Sequence, residues 1–381
     1  MKVLHIMKQE KFTKPVSDFY NKFFCNGEHE ICYLNIKENP SLVSDSVKLK
    51  QHEIFLTEKL FSDVRSISNF FANCDDYDYI VLHSYMLYKS LKVFLYLNRK
   101  ILKKTVWIAW GADLYQWPAQ GGTFPKKLIN VLVNILEKKI RTSCNSMVAI
   151  FPPDMDFYKK AFPTSKAKVY YAPYIIGDVL PKEFSHYSEY SRLSETLTKQ
   201  ETVYIQIGHS ATSQLNHIDV LNSLYKFAGE NIKLLIPLSY GDEAYADKVQ
   251  AYAEEQFPGK VICLREMMST EEYFELINRV DIAIFNTQRQ IGLGNINRML
   301  FRNVKIYMPA GSVMYEHFLS EGVPIQKFDD INGMEFADFI SEKKTENSEL
   351  FERFIKRMSD MGTQLNFWEN IYDDLRKRVK H

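Results

Sequence analysis

The sequence predicts an α/β protein with two domains, each built on a mainly parallel sheet. Short apolar stretches typical of buried strands alternate with amphipathic stretches typical of helices. This alternation stops once, at the polar segment 181–200, and then begins again. The length of 381 residues suits two domains that each bury a core. Strands that alternate with helices form parallel sheets, so two Rossmann-like domains are expected to face each other across a cleft.

The first half, residues 1–180, contains five stretches with the composition of short buried strands. They are KVLHIM at 2–7, YDYIVLHSY at 77–85, KTVWIAWG at 104–111, SMVAIFP at 146–152 and KVYYAPY at 168–174. Between them, the segment 126–141 has apolar residues at helical spacing, which indicates an amphipathic helix. These residues are Leu128, Val131, Leu132, Ile135 and Leu136.

The second half, residues 201–350, repeats the alternation. Its predicted strands are TVYIQIGHS at 202–210, IKLLIPLSYG at 232–241, VICLRE at 261–266, DIAIFN at 281–286 and VKIYMP at 304–309. Its predicted helices lie at 243–256, 270–279 and 295–302. Residues 351–381 have a helical pattern without strand character. Because ligands of parallel sheets bind beyond the carboxyl ends of strands, the residues just after each strand are the candidate site.

The composition is that of a globular protein. Hydrophobic residues make up 46% and charged residues 25%, which argues against disorder, and the net charge of +1 gives no overall attraction to nucleic acid. The five cysteines are scattered and lack CxxC spacing, which favours a reducing compartment and no zinc site. There is neither a signal-peptide pattern nor a run of about 18 apolar residues. A cytoplasmic protein, or one on the cytoplasmic face of a membrane, is therefore expected.

Residues 85–145 are strongly basic. Eleven lysines and arginines are opposed there by only Asp113 and Glu137. An amphipathic helix such as 126–141, with lysines at both ends, is suited to an anionic membrane surface. The alternative is an ordinary crossover helix with solvated lysines. No RNA- or DNA-binding motif accompanies the basic residues, so a nucleic-acid partner is not expected.

The stretch FNTQRQIGLGNINRML, residues 285–300, has the features of an anion-binding turn. Gly292 and Gly294 would let backbone N–H groups approach an anion, and Asn295 is predicted as the N-cap of the following helix. Helix starts bind phosphate through free N–H groups, and Arg289 would add a charged contact. The alternative is a glycine-containing turn with a solvated arginine.

A second turn of this kind follows the strand at 202–210. Gly208 and Ser210 would offer backbone and hydroxyl donors to a diphosphate, with His209 near the sugar. The alternative is a helix start in which serine and threonine act only as caps. After the next strand, Tyr240 and Tyr245 would stack on a base or line its pocket, unless they are ordinary core or surface tyrosines.

Two strand ends in the first half carry candidate catalytic residues. Asp113 follows the strand at 104–111 and is a candidate general base, and His83 ends the strand before it. Trp110, Gly111 and Tyr115 surround Asp113 in sequence, and aromatic faces suit sugar CH surfaces. The alternatives are a structural histidine and an aspartate that caps the next helix.

Five motifs in the same order resemble one bacterial glycosyltransferase family. They are WIAWGADLY, IGHSATSQLNHID, IPLSYGDEAY, FNTQRQIGLGN and EGVPI, and the resemblance runs from about Val81 to Ile325. The chain is similar to glycosyltransferase family 56, which transfers 4-acetamido-4,6-dideoxy-D-galactose from dTDP to a polyprenyl-diphosphate-linked saccharide in enterobacterial common antigen synthesis. This chain departs from the family pattern at His209, at Gln116 and, within 289–295, at Ile291, Leu293 and Asn295. These positions lie where a sugar would be recognised.

The resemblance implies a GT-B architecture and a transferase that needs no metal ion and no cofactor. It implies an acceptor domain at 1–180, a linker at 181–200, a nucleotide-sugar domain at 201–350 and helices at 351–381 that return to the first domain. It also implies a peripheral location on the inner face of the cell membrane. The expected reaction moves a deoxyamino sugar from a dTDP donor to a lipid-linked saccharide.

Each candidate residue has an expected role in that reaction. The catalytic candidates are Asp113, His209 and His83, and the acceptor candidates are Trp110, Gly111 and Tyr115. The donor candidates are Gly208, Ser210, Tyr240, Tyr245, Asn286, Arg289, Gln290, Gly292, Gly294 and Asn295. Two alternatives stay open: a GT-B transferase that uses a UDP- or GDP-sugar on another acceptor, and a nucleotide-sugar-binding protein without turnover.

Overall fold

The computed structural model describes residues 1–8, 13–24, 26–34, 53–56, 64–72, 74–84, 89–115, 117, 126–173, 202–341 and 348–379. The chain forms two compact units, Met1–Asp178 with Asp360–His381, and Val179–Ser359. The linker predicted at 181–200 lies outside the described residues. The predicted tail 351–381 is divided, because only its part from Asp360 onward belongs to the first unit.

The first unit contains a parallel sheet of seven strands. They are β1 Val3–Lys8, β2 His29–Leu34, β3 Glu53–Leu56, β4 Tyr79–His83, β5 Thr105–Ala109, β6 Ser146–Ala149 and β7 Lys168–Tyr171. Their order in the sheet is β3-β2-β1-β4-β5-β6-β7. Apolar clusters cover both faces, which explains why these strands have nearly continuous apolar sequences rather than alternating ones.

The helices of the first unit include the last helix of the chain. They are α1 Thr13–Phe23, α2 Val64–Ala72, α3 Lys89–Leu97, α4 Arg99–Lys104, α5 Ala112–Tyr115, α6 Lys126–Ser143, α7 Pro152–Ala161 and α15 Met361–Val379. Trp368 of α15 is buried and its Nε1 donates to the carbonyl of Pro173 at 3.1 Å. The hydroxyl of Tyr79 on β4 donates to the carbonyl of Leu375 at 3.1 Å. The C-terminal helix therefore packs as part of the first unit.

The second unit contains a parallel sheet of six strands. They are β8 Val203–Ile207, β9 Ile232–Pro237, β10 Val261–Leu264, β11 Ile282–Ile284, β12 Lys305–Met308 and β13 Gln326–Lys327. Its helices are α8 His217–Leu224, α9 Glu243–Gln256, α10 Thr270–Ile277, α11 Leu293–Phe301, α12 Val313–Ser320, α13 Phe336–Ile340 and α14 Ser348–Ser359. The two parallel sheets with their helices confirm the prediction of two Rossmann-like domains.

Strand order reverses once in each sheet. The order of the second sheet is β10-β9-β8-β11-β12-β13, so the chain winds outward from β8 in one direction and returns to build the other side from β11. The first sheet reverses in the same way between β1 and β4. A crevice forms beyond the carboxyl ends of the strands at such a reversal, and doubly wound sheets bind their ligands there.

Helix α6 is amphipathic, but part of its apolar surface is exposed. The exposed fractions of Val131, Leu132 and Ile135 are 53%, 63% and 56%. The side packed on the core is formed by Ile140 and the partly buried Leu136 instead. Helical spacing predicts a face of apolar residues, but it does not say how much of that face the core covers.

Three buried histidines form a hydrogen-bonded row across β2, β1 and β4. His5 Nδ1 lies 3.0 Å from His83 Nε2, and His5 Nε2 lies 2.9 Å from His29 Nδ1. The rings of Tyr20 on α1 and Tyr372 on α15 pack against the row. Each N···N hydrogen bond needs one nitrogen that accepts, so two neighbouring imidazoles of the row cannot both be protonated. Burial lowers the pKa of His29 to about 4 and that of His83 to about 3.

We expect the first unit to lose stability as the pH falls below about 6.5. The unfolded chain protonates its histidines near their ordinary pKa of about 6.5, whereas folding lowers the pKa of His29 to about 4 and that of His83 to about 3. Within this window the unfolded state binds more protons, so the free energy of unfolding decreases as the pH falls. Urea unfolding at about pH 7.5 and about pH 5, monitored by tryptophan fluorescence, measures the change.

Tryptophan fluorescence reports selectively on unfolding of the first unit, because all four tryptophans belong to that unit. They are Trp107, Trp110, Trp117 and Trp368. The control is His217→Gln in the second unit, which should leave the pH dependence of this signal unchanged. A pH dependence that is equally steep in His29→Gln and His83→Gln would contradict the prediction.

Candidate active site

The candidate residues of the second unit lie on three loops that follow adjacent strands. The β8 loop comprises residues 208–216, the β9 loop 238–242 and the β11 loop 285–292. Their strands are neighbours in the order β9-β8-β11, so the loops leave the sheet at one edge, and two of them flank the reversal of strand order. The structure thus brings together the turns that the sequence predicted as binding elements.

Hydrogen bonds join the three loops to one another. The backbone N–H of Ala211 donates to the carbonyl of Tyr240 at 2.8 Å, and that of Asp242 donates to the carbonyl of Ala211 at 2.8 Å. On the other side, Asn216 Nδ2 donates to the carbonyl of Asn286 at 2.9 Å. The β8 loop is therefore fixed to both of its neighbours.

Two glycines allow the close packing at the reversal. Gly208 and Gly292 have left-handed backbones, with φ of +62° and +71°. A Cβ atom at Gly208 would lie 2.7 Å from His217 Nε2, and one at Gly292 would lie 2.9 Å from His209 Nδ1. His209 is buried, and its ring therefore packs directly on the backbone of the β11 loop.

Arg289 supplies the positive charge of this edge. It is the only lysine or arginine in the three loops, and the one carboxylate in them, Asp242, caps α9 by accepting from the N–H of Tyr245 at 2.8 Å. The half-buried Arg289 guanidinium donates from Nη1 to the carbonyl of Gln290 at 3.2 Å and from Nε to Gln214 Oε1. Contacts to both the β8 and the β11 loop hold the cation at the reversal.

Helix α11 begins at Leu293, directly after Gly292. Gly292 is its N-cap and contributes no side-chain hydrogen bond, and the first backbone bond of the helix runs from Ile296 to Gly292 at 3.0 Å. The N–H groups of Leu293, Gly294 and Asn295 precede that bond, so the helix itself provides them with no acceptor. Gly294 is exposed and leaves space around the first turn. This helix start can bind an anion through free N–H groups and its positive dipole end.

The prediction that Asn295 is the N-cap is wrong. Asn295 is the third residue of α11, and its Oδ1 accepts a hydrogen bond from the hydroxyl of Tyr273 at 3.0 Å. The cap position belongs to Gly292, because a left-handed backbone there lets the chain turn into the helix without a capping side chain.

The remaining polar candidates of the second unit differ in accessibility. Ser210 is buried, while 44% of the Tyr240 surface is exposed. The Tyr245 hydroxyl lies 3.2 Å from His217 Nδ1, and its ring packs on the core, which gives it a structural contact. Asn286 and Gln290 are also buried, so these residues contribute mainly backbone atoms to the loop surface.

Asp113 is an internal residue of the first unit. Its side chain is 2% exposed, its Oδ2 accepts from Trp107 Nε1 at 2.8 Å, and its Oδ1 accepts from the N–H of Trp110 at 2.8 Å. Its carbonyl accepts from Arg141 Nη2 at 2.8 Å. This arrangement closes the turn between β5 and α5, and burial keeps the carboxylate away from a substrate. We therefore assign Asp113 a structural role instead of the predicted role of general base.

The other candidates of the first unit lie close to Asp113 or inside the sheet. His83 is buried and hydrogen-bonded to His5, with its pKa lowered to about 3 by burial, so it is also a poor candidate for a base that reaches substrate. Gly111 has a left-handed φ of +80°. Trp110 and Tyr115 are partly buried, and the Tyr115 hydroxyl donates to Asp154 Oδ1 at 2.6 Å.

Polar residues that the sequence did not single out support the second-unit site. Gln206 on β8 is fully buried and donates from Nε2 to the carbonyl of Gly208 at 2.8 Å, and Asn216 links two loops. The one signal in the sequence that could have identified Gln206 was a glutamine inside an otherwise apolar strand. Among the described residues, no group of three or more His, Cys, Asp or Glu side chains is arranged to hold a metal ion. No helix in the described part of the chain is long and apolar enough to cross a membrane.

Comparison with solved structures supports the fold. HepE of Anabaena, in complex with UDP and glucose, superimposes with a TM-score of 0.65 at 11% identity, covering 99% of this chain and 100% of HepE. Sucrose-phosphate synthase of Thermosynechococcus elongatus gives a TM-score of 0.66 at 11% identity, with 99% and 100% coverage. WaaG, a glycosyltransferase of lipopolysaccharide biosynthesis, gives 0.57 at 12% identity, with 99% and 95% coverage. The fold is that of the GT-B glycosyltransferases.

The family is established by sequence. The family model described as 4-alpha-L-fucosyltransferase, glycosyl transferase group 56, matches residues 5–342. This match covers both units and includes all three loops. The chain belongs to glycosyltransferase family 56 and is a GT-B enzyme that transfers a sugar from a nucleotide-sugar donor.

Proposed function

We propose that this enzyme transfers 4-acetamido-4,6-dideoxygalactose, or a similar deoxyamino sugar, from a dTDP donor to a polyprenyl-diphosphate-linked saccharide. The reaction would serve bacterial surface polysaccharide synthesis. The observation that carries the proposal is the convergence of Arg289, the start of α11 and the β8 loop at the strand-order reversal. Fucose is 6-deoxygalactose, so the fucosyltransferase description of the family and the proposed donor share one carbon skeleton.

Charge compensation explains how these groups would act. Cleavage of the bond between sugar and diphosphate leaves increasing negative charge on the leaving group. Arg289 and the free N–H groups of Leu293 and Gly294 would stabilise that charge, and they are already held in place by the loops. We propose that the transfer needs no metal ion or cofactor, since this charge stabilisation is the usual task of a metal in such reactions.

His209 is the catalytic candidate that lies within the loop cluster. Its ring packs on Gly292, next to the helix start, and this position supports the proposal that it contacts the sugar near the diphosphate. We propose the aromatic surfaces of Trp110 and Tyr115 with Gly111 as acceptor contacts in the first unit.

The main alternative is a UDP- or GDP-sugar donor. HepE, which has this fold, was solved with UDP and glucose. The residues around the diphosphate would be the same for any of these nucleotides, since backbone N–H groups and one arginine recognise phosphate rather than base. The nucleotide base is therefore the point on which the proposal and the alternative differ.

Helices α3, α4 and α6 would attach the enzyme to an anionic membrane on the cytoplasmic side. Arg99, Lys103 and Lys138 are exposed, and the described residues offer them no ion pair. Exposed aliphatic side chains accompany them on α6, namely Leu132 and Ile135. Apolar side chains that enter the interface together with basic residues that face anionic headgroups are typical of peripheral membrane helices.

Thermal unfolding with a panel of nucleotides tests the donor. A ligand that binds only the folded state raises the melting temperature by mass action. We expect calorimetry to show a rise with dTDP that exceeds those with UDP, GDP and ADP, and that is lost in Arg289→Ala. Lys233→Ala removes the same charge from the amino-terminal part of β9 and should keep the rise.

Each other outcome would change the conclusion. A rise with UDP or GDP instead of dTDP would replace the donor and keep the site. An equal rise in wild type and Arg289→Ala would contradict the phosphate role of Arg289. The absence of a rise with every nucleotide would contradict the proposed donor site.

Asp113→Asn separates a structural aspartate from a catalytic one. Asparagine retains one of the two acceptor oxygens, so we expect the first unit to lose about 1–3 kcal/mol of stability. Tryptophan fluorescence would report this loss, while the dTDP-dependent rise in melting temperature, which depends on the second unit, stays unchanged. A variant with wild-type stability and no transferase activity would instead restore Asp113 as the general base.

Vesicle sedimentation tests the membrane surface. We expect wild type to bind anionic vesicles at low salt and to be released at high salt, because the basic residues are screened. The double variant Leu132→Ser with Ile135→Ser should bind several-fold less, since its apolar contribution is lost. Leu319→Ser, a half-exposed leucine of the second unit, is the matched control. Equal binding of wild type to neutral vesicles would contradict the electrostatic contribution to membrane binding. Unchanged binding of the double variant would contradict the apolar contribution.

A further inference from the structure

The hydroxyl of Tyr273, on α10, is hydrogen-bonded to the first turn of α11. It donates to Asn295 Oδ1 at 3.0 Å. The buried Gln206 on β8 donates from Nε2 to the carbonyl of Gly208 in the β8 loop at 2.8 Å. One side chain therefore supports each of the two candidate phosphate turns.

The hydrogen bond between Tyr273 and Asn295 has a defined direction. The Tyr273 hydroxyl is the donor and Asn295 Oδ1 is the acceptor. Burial raises the pKa of Tyr273, which keeps the hydroxyl protonated as a donor at neutral pH. An asparagine amide has one oxygen and one NH2 group. With its oxygen held by Tyr273, the side chain of Asn295 has its NH2 group left as a donor.

The position of Asn295 makes this orientation chemically relevant. It is the third residue of α11, in the turn whose backbone N–H groups precede the first helical hydrogen bond. A polar side chain at this position commonly reaches back to the N-cap residue, but that residue is Gly292, and Asn295 is bonded to α10 instead. Its side-chain NH2 group therefore adds a hydrogen-bond donor at the helix start. Its oxygen does not accept from the backbone N–H groups there, because it is held by Tyr273.

We propose that Tyr273 is a positioning residue of the donor site: it holds the amide of Asn295 so that the side-chain NH2 group binds the donor diphosphate. This inference rests on the proposed function, because it requires a nucleotide diphosphate at the start of α11. Tyr273 acts through Asn295 and does not touch the substrate itself.

A double-mutant cycle with dTDP as the probe tests the inference. Calorimetric titration should give a Kd about fivefold to tenfold higher for Tyr273→Phe than for wild type, as expected for a charge-assisted hydrogen bond that loses its orientation. Asn295→Ala should weaken binding at least as much. Adding Tyr273→Phe to Asn295→Ala should cause no further change, since the group that Tyr273 positions is then absent.

Tyr252→Phe is the matched control. The Tyr252 hydroxyl on α9 donates to Asn222 Oδ1 on α8, which is the same type of bond in the same unit. Both phenylalanine variants should lower the melting temperature without nucleotide to a similar extent, but only Tyr273→Phe should raise the Kd for dTDP. In the transfer reaction, Tyr273→Phe should weaken binding of the donor diphosphate. Tyr252→Phe should leave both kcat and KM unchanged.

The outcomes distinguish this inference from the proposed function. Binding by wild type that is weakened by Arg289→Ala and unaffected by Tyr273→Phe would overturn the role of Tyr273 and keep the donor site. Additive effects of Tyr273→Phe and Asn295→Ala would also overturn it, because the two residues would then act separately. Failure of wild type to bind dTDP or another nucleotide would overturn the proposed function and this inference together.

Discussion

Parallel strands place all their carboxyl ends at one edge of a sheet, and this constraint organises the second unit. Because the chain builds the sheet outward from β8 and then from β11, the loops after these strands flank the reversal of strand order, where doubly wound sheets bind their ligands. The residues of the candidate site are separated by about 80 positions in sequence, from Gly208 to Gly292, yet hydrogen bonds between neighbouring loops hold them together. Gly208 and Gly292 matter because no other residue would allow the loops to approach so closely.

The cations of the second unit have separate tasks. Lys305 is buried and donates to the carbonyls of Asp338, Phe339 and Ser341 at the end of α13, and burial lowers its pKa to about 8. The guanidinium of Arg298 lies 3.7 Å from the ring centre of Phe274. These charges stabilise the fold, in line with the rule that buried charges must be paired or hydrogen-bonded. Arg289 differs, since it is half-buried, lies on a loop and is held by neighbouring loop groups at the strand-order reversal.

In the first unit, polar residues near strand ends serve the interior. Asp113 satisfies the indole of Trp107 and the backbone N–H of Trp110, and His83 belongs to a row of neutral imidazoles under α1 and α15. Burying these groups without partners would cost several kcal/mol, so each partner is needed for folding. If the first unit binds the acceptor, as we propose, the acceptor contacts would come from groups at its surface. Helix α6 likewise has apolar residues both in the core and at the surface, because only part of its apolar face packs on the core.

Local sequence patterns were sufficient to predict the fold class, the two domains and the turns of the candidate donor site. Strand–helix alternation is a local pattern, and glycines and an arginine after a strand are visible in single segments such as 285–300. The five ordered motifs also pointed to the family. Which polar residues are buried depends instead on contacts between distant parts of the folded chain. Asp113 and Arg289 both follow a strand, but the partners that enclose Asp113 come from Trp107, Trp110 and Arg141.

The same reason explains the N-cap of α11 and the role of Tyr273. The cap moved from Asn295 to Gly292 because the backbone conformation at Gly292 and the contact of Asn295 with α10 are set by packing. Residues 206, 273 and 295 lie far apart in sequence, and no local pattern connects them. Hydrogen-bond partners across a sheet depend on the order of its strands, and strand order is a property of the folded chain.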